Sequence, residues 1–370
     1  MKYFELLERG ALAGLAALLS IAAATAVAAG IPDPAERPAA ALSALQKPAL
    51  LDITRAGDRL VAVGERGVIL VSSDHGKTWT QARVPVAVTL TAVRFVTARK
   101  GWAVGHSGVV LQTTDGGDSW VRQFDGVKAA EAVLHAAQAD TTEGARKQLA
   151  LARQFVSDGA DKPFLALTFE NELRGVIVGA YGLVFGTEDG GVTWTPWLDR
   201  VPNPKGLHLN AVHREGQALY IAGEQGLFVR SHDGGRTFLA VETPYRGSYF
   251  TLLAAGPGQL VLGGLRGNAY RFDTEGGIFQ KLEIPIPVTL SSSTRLPDGR
   301  LMFINQAGQW LVGAADALHP VAEPAGAPAI AAVATADGAL ALATWRGAVR
   351  AALPQVAGAA PAQDKKKEKP

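Results

Sequence analysis

The chain has 370 residues, no cysteine and a formal net charge of +2 at pH 7. The absence of cysteine excludes disulfides, thiolate metal sites and a cysteine nucleophile. The near-neutral charge argues against a nucleic-acid-binding protein, because such proteins carry a strong basic excess.

Residues 1–29 have the composition of a secretion signal. Lys2 and Arg9 precede an apolar stretch from Ala11 to Ala29, and residues 26–28 read Ala-Val-Ala, a small-x-small cleavage pattern. The apolar stretch is also about long enough to span a bilayer, so an uncleaved anchor is the alternative. Both interpretations place the remaining chain outside the cytoplasm, in the periplasm or an equivalent space. Residues 30–48 then form a linker or a segment that closes the ring described below.

Residues 49–355 contain an internal repeat. Four strong copies read "VAVGERGVIL", "WAVGHSGVVL", "VIVGAYGLVF" and "YIAGEQGLFV", and three weaker copies read "VLGGLRGNAY", "FINQAGQWLV" and "LATWRGAVRA". The second glycine of these copies falls at positions 67, 108, 182, 226, 267, 308 and 347. Short alternating strands joined by glycine-rich turns at a spacing of about 40 residues are typical of propeller blades. The repeat therefore predicts an all-β fold, a seven-bladed β-propeller of four-stranded blades.

A second motif follows each strong copy, as "SSDHGKTWTQ", "TTDGGDSWVR", "TEDGGVTWTP" and "SHDGGRTFLA". Its aspartate falls in the turn between the third and fourth strands of the predicted blade. There the carboxylate can accept backbone hydrogen bonds, the glycines can adopt positive φ, and the aromatic residue can pack between blades. We therefore predict a structural role for this motif. Its residues are Asp74, Gly76, Trp79, Asp115, Gly117, Trp120, Asp189, Gly191, Trp194, Asp233, Gly235 and Phe238.

The pattern Ser/Thr-x-Asp-x-Gly-x-Thr/Ser-Trp/Phe resembles the Asp-box, or BNR repeat. The blade "GWAVGHSGVVLQTTDGGDSWVRQ" is similar to blades of the photosystem II assembly and stability factor family. This resemblance covers residues 50–240 well and extends through the weaker copies to about residue 353. It implies a protein that acts by binding, with no catalytic residues. Members in non-photosynthetic bacteria are envelope proteins, often encoded beside resistance-nodulation-division transporters, so the resemblance implies a partner in an envelope membrane complex.

A carbohydrate-active propeller enzyme is the alternative. A sialidase-like site would need three arginines around a substrate carboxylate and usually an Arg-Ile-Pro element, and the nearest string is "EIPIP" at residues 283–287. A glycosidase built from loop carboxylates such as Glu65 and Glu224 stays open. An enzyme requires a deep pocket of carboxylates and aromatic residues, whereas a docking protein presents a broad, shallow surface.

No metal, cofactor or phosphate site is predicted. The segments "DHGK" and "DGGD" contain fewer spaced oxygen ligands than a calcium loop requires. Each Gly-x-x-Gly element joins two strands, whereas phosphate-binding loops open a helix.

The Gly-x-x-Gly turns and the links between blades emerge on the side of a propeller opposite the Asp-boxes, which we call the turn face. The two residues between the glycines of each turn differ from blade to blade, while the flanking strands keep their pattern. This variation is expected if one asymmetric binding site lies on this face, and it is equally expected from neutral variation of exposed turns. Arginine and aromatic residues are enriched at protein contacts. The candidate partner-binding residues on the turn face are Arg66, His106, Tyr181, Arg266, Trp345 and Arg346.

One step between repeats is longer than the others and places an insert at about residues 125–162, between blades 2 and 3 on the turn face. Its sequence predicts two helices broken near Asp140 to Thr142, the second with an apolar stripe of Leu149, Ala152, Phe155 and Val156. The insert is either a cover that packs this stripe onto the propeller or a docking arm for a partner.

The last repeat has no Asp-box and little room for an outer strand. Because an open strand edge is a liability, we expect residues near Ala40 to Lys47 to supply that strand. Residues 356–370 form a charged tail, disordered by composition. The core is expected to be monomeric.

Overall fold

Seven antiparallel sheets form the blades of a β-propeller in the computed structural model, which describes residues 32–43, 46–141, 144–322 and 328–355. The predicted fold is confirmed. Six blades have four strands, the seventh has three in the described residues, and each sheet follows chain order from the first strand to the last.

The strands follow the repeats in chain order. Blade 1 contains β1 (Leu50–Ala56), β2 (Arg59–Gly64), β3 (Ile69–Ser72) and β4 (Thr80–Gln81); blade 2 contains β5 (Leu90–Phe95), β6 (Gly101–Gly105), β7 (Val110–Thr113) and β8 (Val121–Phe124). Blade 3 contains β9 (Phe164–Phe169), β10 (Gly175–Gly179), β11 (Val184–Thr187) and β12 (Thr195–Pro196); blade 4 contains β13 (Leu209–Glu215), β14 (Ala218–Gly223), β15 (Phe228–Ser231) and β16 (Leu239–Ala240). Blade 5 contains β17 (Tyr249–Gly256), β18 (Gln259–Gly264), β19 (Ala269–Asp273) and β20 (Phe279–Leu282); blade 6 contains β21 (Leu290–Arg295), β22 (Leu301–Asn305), β23 (Trp310–Gly313) and β24 (Leu318–Val321). Blade 7 contains β25 (Ala329–Ala334), β26 (Ala339–Thr344) and β27 (Gly347–Ala352).

The core of the protein lies between the blades. Buried hydrophobic side chains of the described residues form one cluster at each of the seven blade interfaces. Every residue of β6 is buried, because a blade is covered by a neighbour on each side. The apolar centre of each repeat is thus core on both faces, which explains why the repeat is so regular.

The ring closes by direct packing of blade 7 against blade 1. Leu50 and Ile53 of β1 share a buried cluster with Ala331, Ala341 and Ala343. The small alanine side chains let the two blades approach closely, so closure needs no exchanged strand.

The N-terminal segment does not supply the outer strand of blade 7, contrary to expectation. Its described residues bind mainly blade 1: Ala39 N–H donates to the Val84 carbonyl (3.0 Å), and Leu42 N–H donates to Oε1 of Gln81 (2.8 Å). Glu36 pairs with Arg122 of blade 2 (2.7 Å), and the one described backbone bond to blade 7 runs from Gly347 N–H to the Pro48 carbonyl (2.9 Å). The outer strand β4 is only two residues long, so the backbone that follows it is free to bind this segment.

The insert forms two helices, α1 (Gly126–Ala139) and α2 (Ala145–Asp158). Asp125 caps the first helix by accepting a hydrogen bond from Lys128 N–H (3.0 Å). The second helix ends at Gly159, which adopts a φ of 83°.

The helices pack on blades 2 and 3. Ala129 and Ala152 are buried, and Phe155 packs against the cluster between these blades. Val156, expected in the apolar stripe, is 42% exposed, because α2 packs mainly against α1 and buries fully only Ala152.

Candidate functional site

The four Asp-box aspartates occupy equivalent turns between the third and fourth strands. In blade 1, Asp74 accepts hydrogen bonds from Ser72 Oγ (2.8 Å), Thr78 N–H (2.9 Å) and Thr78 Oγ1 (2.6 Å). Asp115, Asp189 and Asp233 accept the same set from their own turns. The hydroxyl residue two positions before the aspartate also accepts a bond from the box glycine, a partner that the sequence argument missed.

These hydrogen bonds keep the box carboxylates ionised. The hydroxyl and backbone of Thr78, together with Ser72, hold the pKa of Asp74 far below its usual range. Burial pushes the pKa of Asp115 upward, but hydrogen bonds from Ser119 and Thr113 outweigh it and lower the pKa to about 2. Carboxylates that are saturated with donors at neutral pH are poor general acids or bases.

The aromatic residue of each box packs against the preceding blade. Trp120 of blade 2 lies in the cluster shared with blade 1, and Phe238 of blade 4 lies in the cluster shared with blade 3. All four box glycines adopt positive φ, and a Cβ at Gly235 would also lie 2.3 Å from the ring of Trp197 in the preceding blade. The boxes therefore form contacts between blades.

The six candidate partner-binding residues all lie in turns between second and third strands, on the turn face. All six are exposed, with Tyr181 at 60% and Trp345 at 57%. They belong to five blades, and in the described residues no side-chain hydrogen bond or ion pair links any two of them. The structure thus places them on one face without gathering them into a pocket.

Only Tyr181 lies within a built cluster. Its ring packs edge-on against His208 with centroids 5.0 Å apart, and Lys162 Nζ lies 5.4 Å from its ring centroid. Lys162 also lies 5.0 Å from the ring centroid of Phe155. Since Phe155 belongs to α2, Lys162 joins the helical insert to the turn of blade 3.

Lys162 is held by two carboxylates. Its side chain is only 9% exposed, and Nζ lies 3.1 Å from Asp161 and 3.2 Å from Asp158. Burial alone would lower the pKa of Lys162, but the hydrogen bonds that its ammonium donates to Asp161 and Asp158 outweigh burial and raise the pKa above its ordinary value. The ammonium group therefore stays charged and fixes the end of the insert beside Tyr181.

The cluster continues into blade 4 through His208. Its Nδ1 lies 3.3 Å from Glu224, and the other oxygen of this carboxylate accepts a bond from the His208 backbone N–H (2.8 Å). Beyond it, Lys205 Nζ donates to Gln225 Oε1 (3.3 Å). Lys162 and His208 were not among the residues predicted for this site, although both lie in links between blades, which topology assigns to the turn face.

The outer side of α2 is basic and largely exposed. Arg146, Lys147 and Arg153 are exposed and form no ion pair within the described part of the chain, and Leu151 between them is 61% exposed. The insert, Lys162 and the Tyr181 cluster together form one continuous surface, which we call the insert surface.

A narrow cleft lies on the opposite, Asp-box face between blades 3 and 4, lined by Arg174, Arg200, Arg214 and Arg236 with Glu170 and Trp197. Glu170 lies 3.4 Å from Arg214 and 3.8 Å from Arg174, so this carboxylate is already paired. The Arg200 guanidinium stacks 4.9 Å from the Trp197 ring. Glu188 and Asp233 also line the cleft, and Asp233 is held by its own Asp-box turn. Within the described residues Glu188 is then the one lining carboxylate without a partner, so the cleft lacks the pair of free carboxylates that a glycosidase requires.

Within the described residues, no three histidine, aspartate or glutamate side chains are placed to hold a metal ion. Neither of the two described helices is long and apolar enough to cross a membrane.

Comparison of sequences identifies relatives of most of the propeller. The sequence model of the family described as photosynthesis system II assembly factor YCF48 matches residues 71–145 and 148–314. The photosystem II assembly lipoprotein Ycf48 of Synechococcus sp. (strain CC9902) is 30% identical over 114 residues, which is 30% of this chain and 34% of the relative. The chain thus matches about a third of this curated relative.

Solved structures share the fold at low sequence identity. A structure of YCF48 bound to D1 peptide superposes with a TM-score of 0.60 at 14% identity, covering 88% of this chain and all of that one. Streptogramin B lyase superposes with a TM-score of 0.63 at 12% identity, covering 83% of this chain and 94% of that one. Since binding proteins and enzymes share this fold, function has to be argued from the residues.

Proposed function

The chain belongs to the family of the photosynthesis system II assembly factor YCF48, and from this premise we propose that it is a non-catalytic docking protein that binds a membrane protein complex of the cell envelope. The observation that carries the proposal is the insert surface, where the largely buried Lys162 joins the exposed side of α2 to the exposed Tyr181 and the half-buried His208. A surface of this kind suits a protein partner better than a small substrate, because it is broad and combines cations with aromatic rings.

The chemistry of the insert surface favours an acidic, partly apolar partner segment. Arg146, Lys147 and Arg153 are available for carboxylates, while Leu151 and Tyr181 offer apolar area beside them. Charge-assisted hydrogen bonds would orient the partner and ring burial would stabilise the complex. One of the structural relatives is a YCF48 bound to a peptide, which is consistent with this mode of action.

The proposed location is the extracytoplasmic side of a membrane. The Synechococcus relative is a lipoprotein, whereas this chain has no cysteine to carry a thioether-linked lipid, so its first 29 residues would provide export or anchoring. The Pro34 carbonyl accepts a hydrogen bond from Ala87 N–H (2.7 Å) in the link between blades 1 and 2. The chain therefore enters the propeller on the turn face, and a retained leader would hold this face close to the membrane.

The proposed partner is a membrane protein complex of the envelope, and nothing in the residues of the insert surface selects a resistance-nodulation-division transporter among such complexes. A carbohydrate-active enzyme remains the competing hypothesis, and its active site would have to lie in a cleft such as the one on the Asp-box face.

The proposal is tested by recovering the partner from detergent-solubilised membranes with a tagged protein and identifying it by mass spectrometry. In the first variant Arg146, Lys147 and Arg153 are changed to glutamate, which reverses the charge of α2 without removing its buried contacts. In the control, Lys77→Glu and Arg236→Glu change exposed cations on the Asp-box face. We expect the first variant to lose the partner and the control to retain it. Equal recovery by both variants would refute docking through the insert surface.

A further inference from the structure

The cleft on the Asp-box face between blades 3 and 4 concentrates guanidinium groups in a volume of about 180 Å³. Its four arginines come from four different elements. Arg174 precedes β10, Arg200 lies in the link between the two blades, Arg214 belongs to β13, and Arg236 lies in the Asp-box turn of blade 4. The fold therefore brings positive charge to one small space from both blades.

Arg214 is buried and incompletely bonded. Its side chain is only 7% exposed, and its Nη1 donates to the Gly216 carbonyl (3.2 Å) and lies 3.4 Å from Glu170. Its Nε is also buried and has no hydrogen-bond partner within the described residues. A buried donor without a partner destabilises a protein, and most such donors are paired. Since Arg214 lines the cleft, an acceptor bound there is the partner that this donor lacks.

The carboxylates of the cleft do not balance its four cations. A single oxygen of Glu170 is shared by Arg214 (3.4 Å) and Arg174 (3.8 Å), and Asp233 is taken up by its own turn. Glu188 is the remaining lining carboxylate, and it is exposed. Burial lowers the pKa of Arg214, and the charge of Arg174 lowers it further, while Glu170 acts in the opposite direction. The cleft thus has an excess of positive charge beside a buried cation.

One of the cations is fixed before any ligand binds. The Arg200 guanidinium stacks 4.9 Å from the Trp197 ring centroid, and its Nη1 donates to the Gly235 carbonyl (3.3 Å). A guanidinium that is already held in place loses less conformational entropy when it binds an anion. The cleft therefore combines a preorganised cation with a buried donor that has no partner.

We propose that this cleft is a binding site for a phosphate-type dianion, which accepts hydrogen bonds from Arg214 and from the three arginines around it. A tetrahedral oxyanion can accept bonds from several directions at once, as arginines from four elements require, and guanidinium groups match phosphate oxygens geometrically. The cleft has the volume of about six water molecules, which suits a small ion or one terminal phosphate group. The site lies on the face opposite the insert surface, so it is separate from the proposed docking function.

Matched variants separate binding from folding. Arg214→Gln removes the buried donor, and Glu170→Gln removes the carboxylate that two of the arginines share. Arg230→Gln is the control, because Arg230 lies in β15 of the same blade and also has a buried Nε without a partner, but it does not line the cleft. Titration calorimetry at constant ionic strength measures binding of inorganic phosphate, glycerol 3-phosphate and succinate. Thermal unfolding shows which variants fold.

We expect the wild type to bind phosphate and not succinate. Arg214→Gln should bind phosphate at least about tenfold more weakly, because it loses hydrogen bonds to a charged ligand. Glu170→Gln should bind phosphate roughly two- to fivefold more tightly, because a competing negative charge is gone, and Arg230→Gln should bind like the wild type. Phosphate at about ten times its Kd should raise the melting temperature of the wild type by roughly 2 to 4 °C.

The absence of phosphate binding by the wild type would overturn the proposal, and so would preferential binding of succinate. Unchanged affinity in Arg214→Gln or weaker binding by Glu170→Gln would also contradict it. If Arg214→Gln does not fold, Arg174→Gln at an exposed side chain takes its place and should weaken binding roughly two- to fivefold.

The two phosphate ligands identify the source of the dianion. Tighter binding of glycerol 3-phosphate would assign the cleft to the phosphate group of a larger molecule, and tighter binding of inorganic phosphate would assign it to the free ion. No step of this experiment involves the membrane partner, so its failure would leave the proposed function untouched.

Discussion

Replacing Asp115 by alanine tests whether the Asp-box stabilises the propeller. Asp115 accepts hydrogen bonds from Thr113 Oγ1 (2.8 Å), Ser119 N–H (3.0 Å) and Ser119 Oγ (2.5 Å). The substitution removes all three bonds and leaves the Ser119 N–H with water as its partner. The change lies far from the turn face, so binding by the folded protein should be unaffected.

Two independent arguments give similar values for the destabilisation that Asp115→Ala should cause. Loss of a comparable side-chain cap at a helix N-terminus costs about 0.5 to 2 kcal/mol. The fall of the Asp115 pKa from 3.8 to about 2 corresponds to at most ~2.5 kcal/mol, which partial solvent exposure reduces to roughly 1 to 2 kcal/mol. For a protein of this size we expect the melting temperature to fall by roughly 2 to 4 °C.

The stabilisation should depend on pH in a defined direction. The pKa of Asp115 is lower in the folded protein than the ordinary 3.8, so its contribution is complete above pH 4 and is lost as the pH falls toward 2. Urea unfolding at pH 7 and pH 3, followed by tryptophan fluorescence, should show a larger gap between wild type and Asp115→Ala at pH 7. Asp58→Asn, at a carboxylate whose side chain is 91% exposed, is the control and should change little. Unchanged stability of Asp115→Ala together with lost partner binding would refute the structural assignment.

Two further substitutions test the packing between blades. Gly235→Ala should destabilise the protein by about 2 to 4 kcal/mol, because the new Cβ meets the Trp197 ring. Gly216 also has positive φ but has open space around it, so the control Gly216→Ala should cost about 1 kcal/mol. Urea unfolding measures both free energies. Arg350→Met should destabilise the protein by about 1 to 2 kcal/mol and lower its melting temperature. It removes the ion pair with Asp337 (2.8 Å) and the hydrogen bond to the His75 carbonyl, which ties β27 to blade 1. A melting temperature equal to that of the wild type would show that this contact is not needed for ring closure.

The blades and the box positions could be predicted because they repeat. Glycine recurs at each turn between second and third strands, where a Cβ at Gly67, for example, would lie 1.9 Å from the Val86 carbonyl oxygen. A requirement of the backbone that is repeated seven times leaves a pattern in the sequence. The helices of the insert could be predicted from a local pattern, since their alanine-rich composition and the spacing of their apolar residues differ from those of the strands.

Contacts formed once left no such pattern. The N-terminal segment is held by backbone bonds to blade 1, by the Gln81 side chain and by the ion pair of Glu36 with Arg122, each of which is formed once, so its destination could not be predicted. Lys162 and His208 are single residues in links, and only the fold brings them to Tyr181.

Photo-crosslinking from the two ends of β11 tests the central claim, docking through the turn face, most directly. Tyr181 precedes this strand on the turn face and is 60% exposed, while Val192 follows it in the Asp-box turn and is 76% exposed. A photoreactive phenylalanine analogue at each position, activated in intact cells, compares the two faces of one blade in the same protein. The account predicts a crosslink to a membrane protein from position 181 and none from position 192. A crosslink from position 192 alone would contradict it.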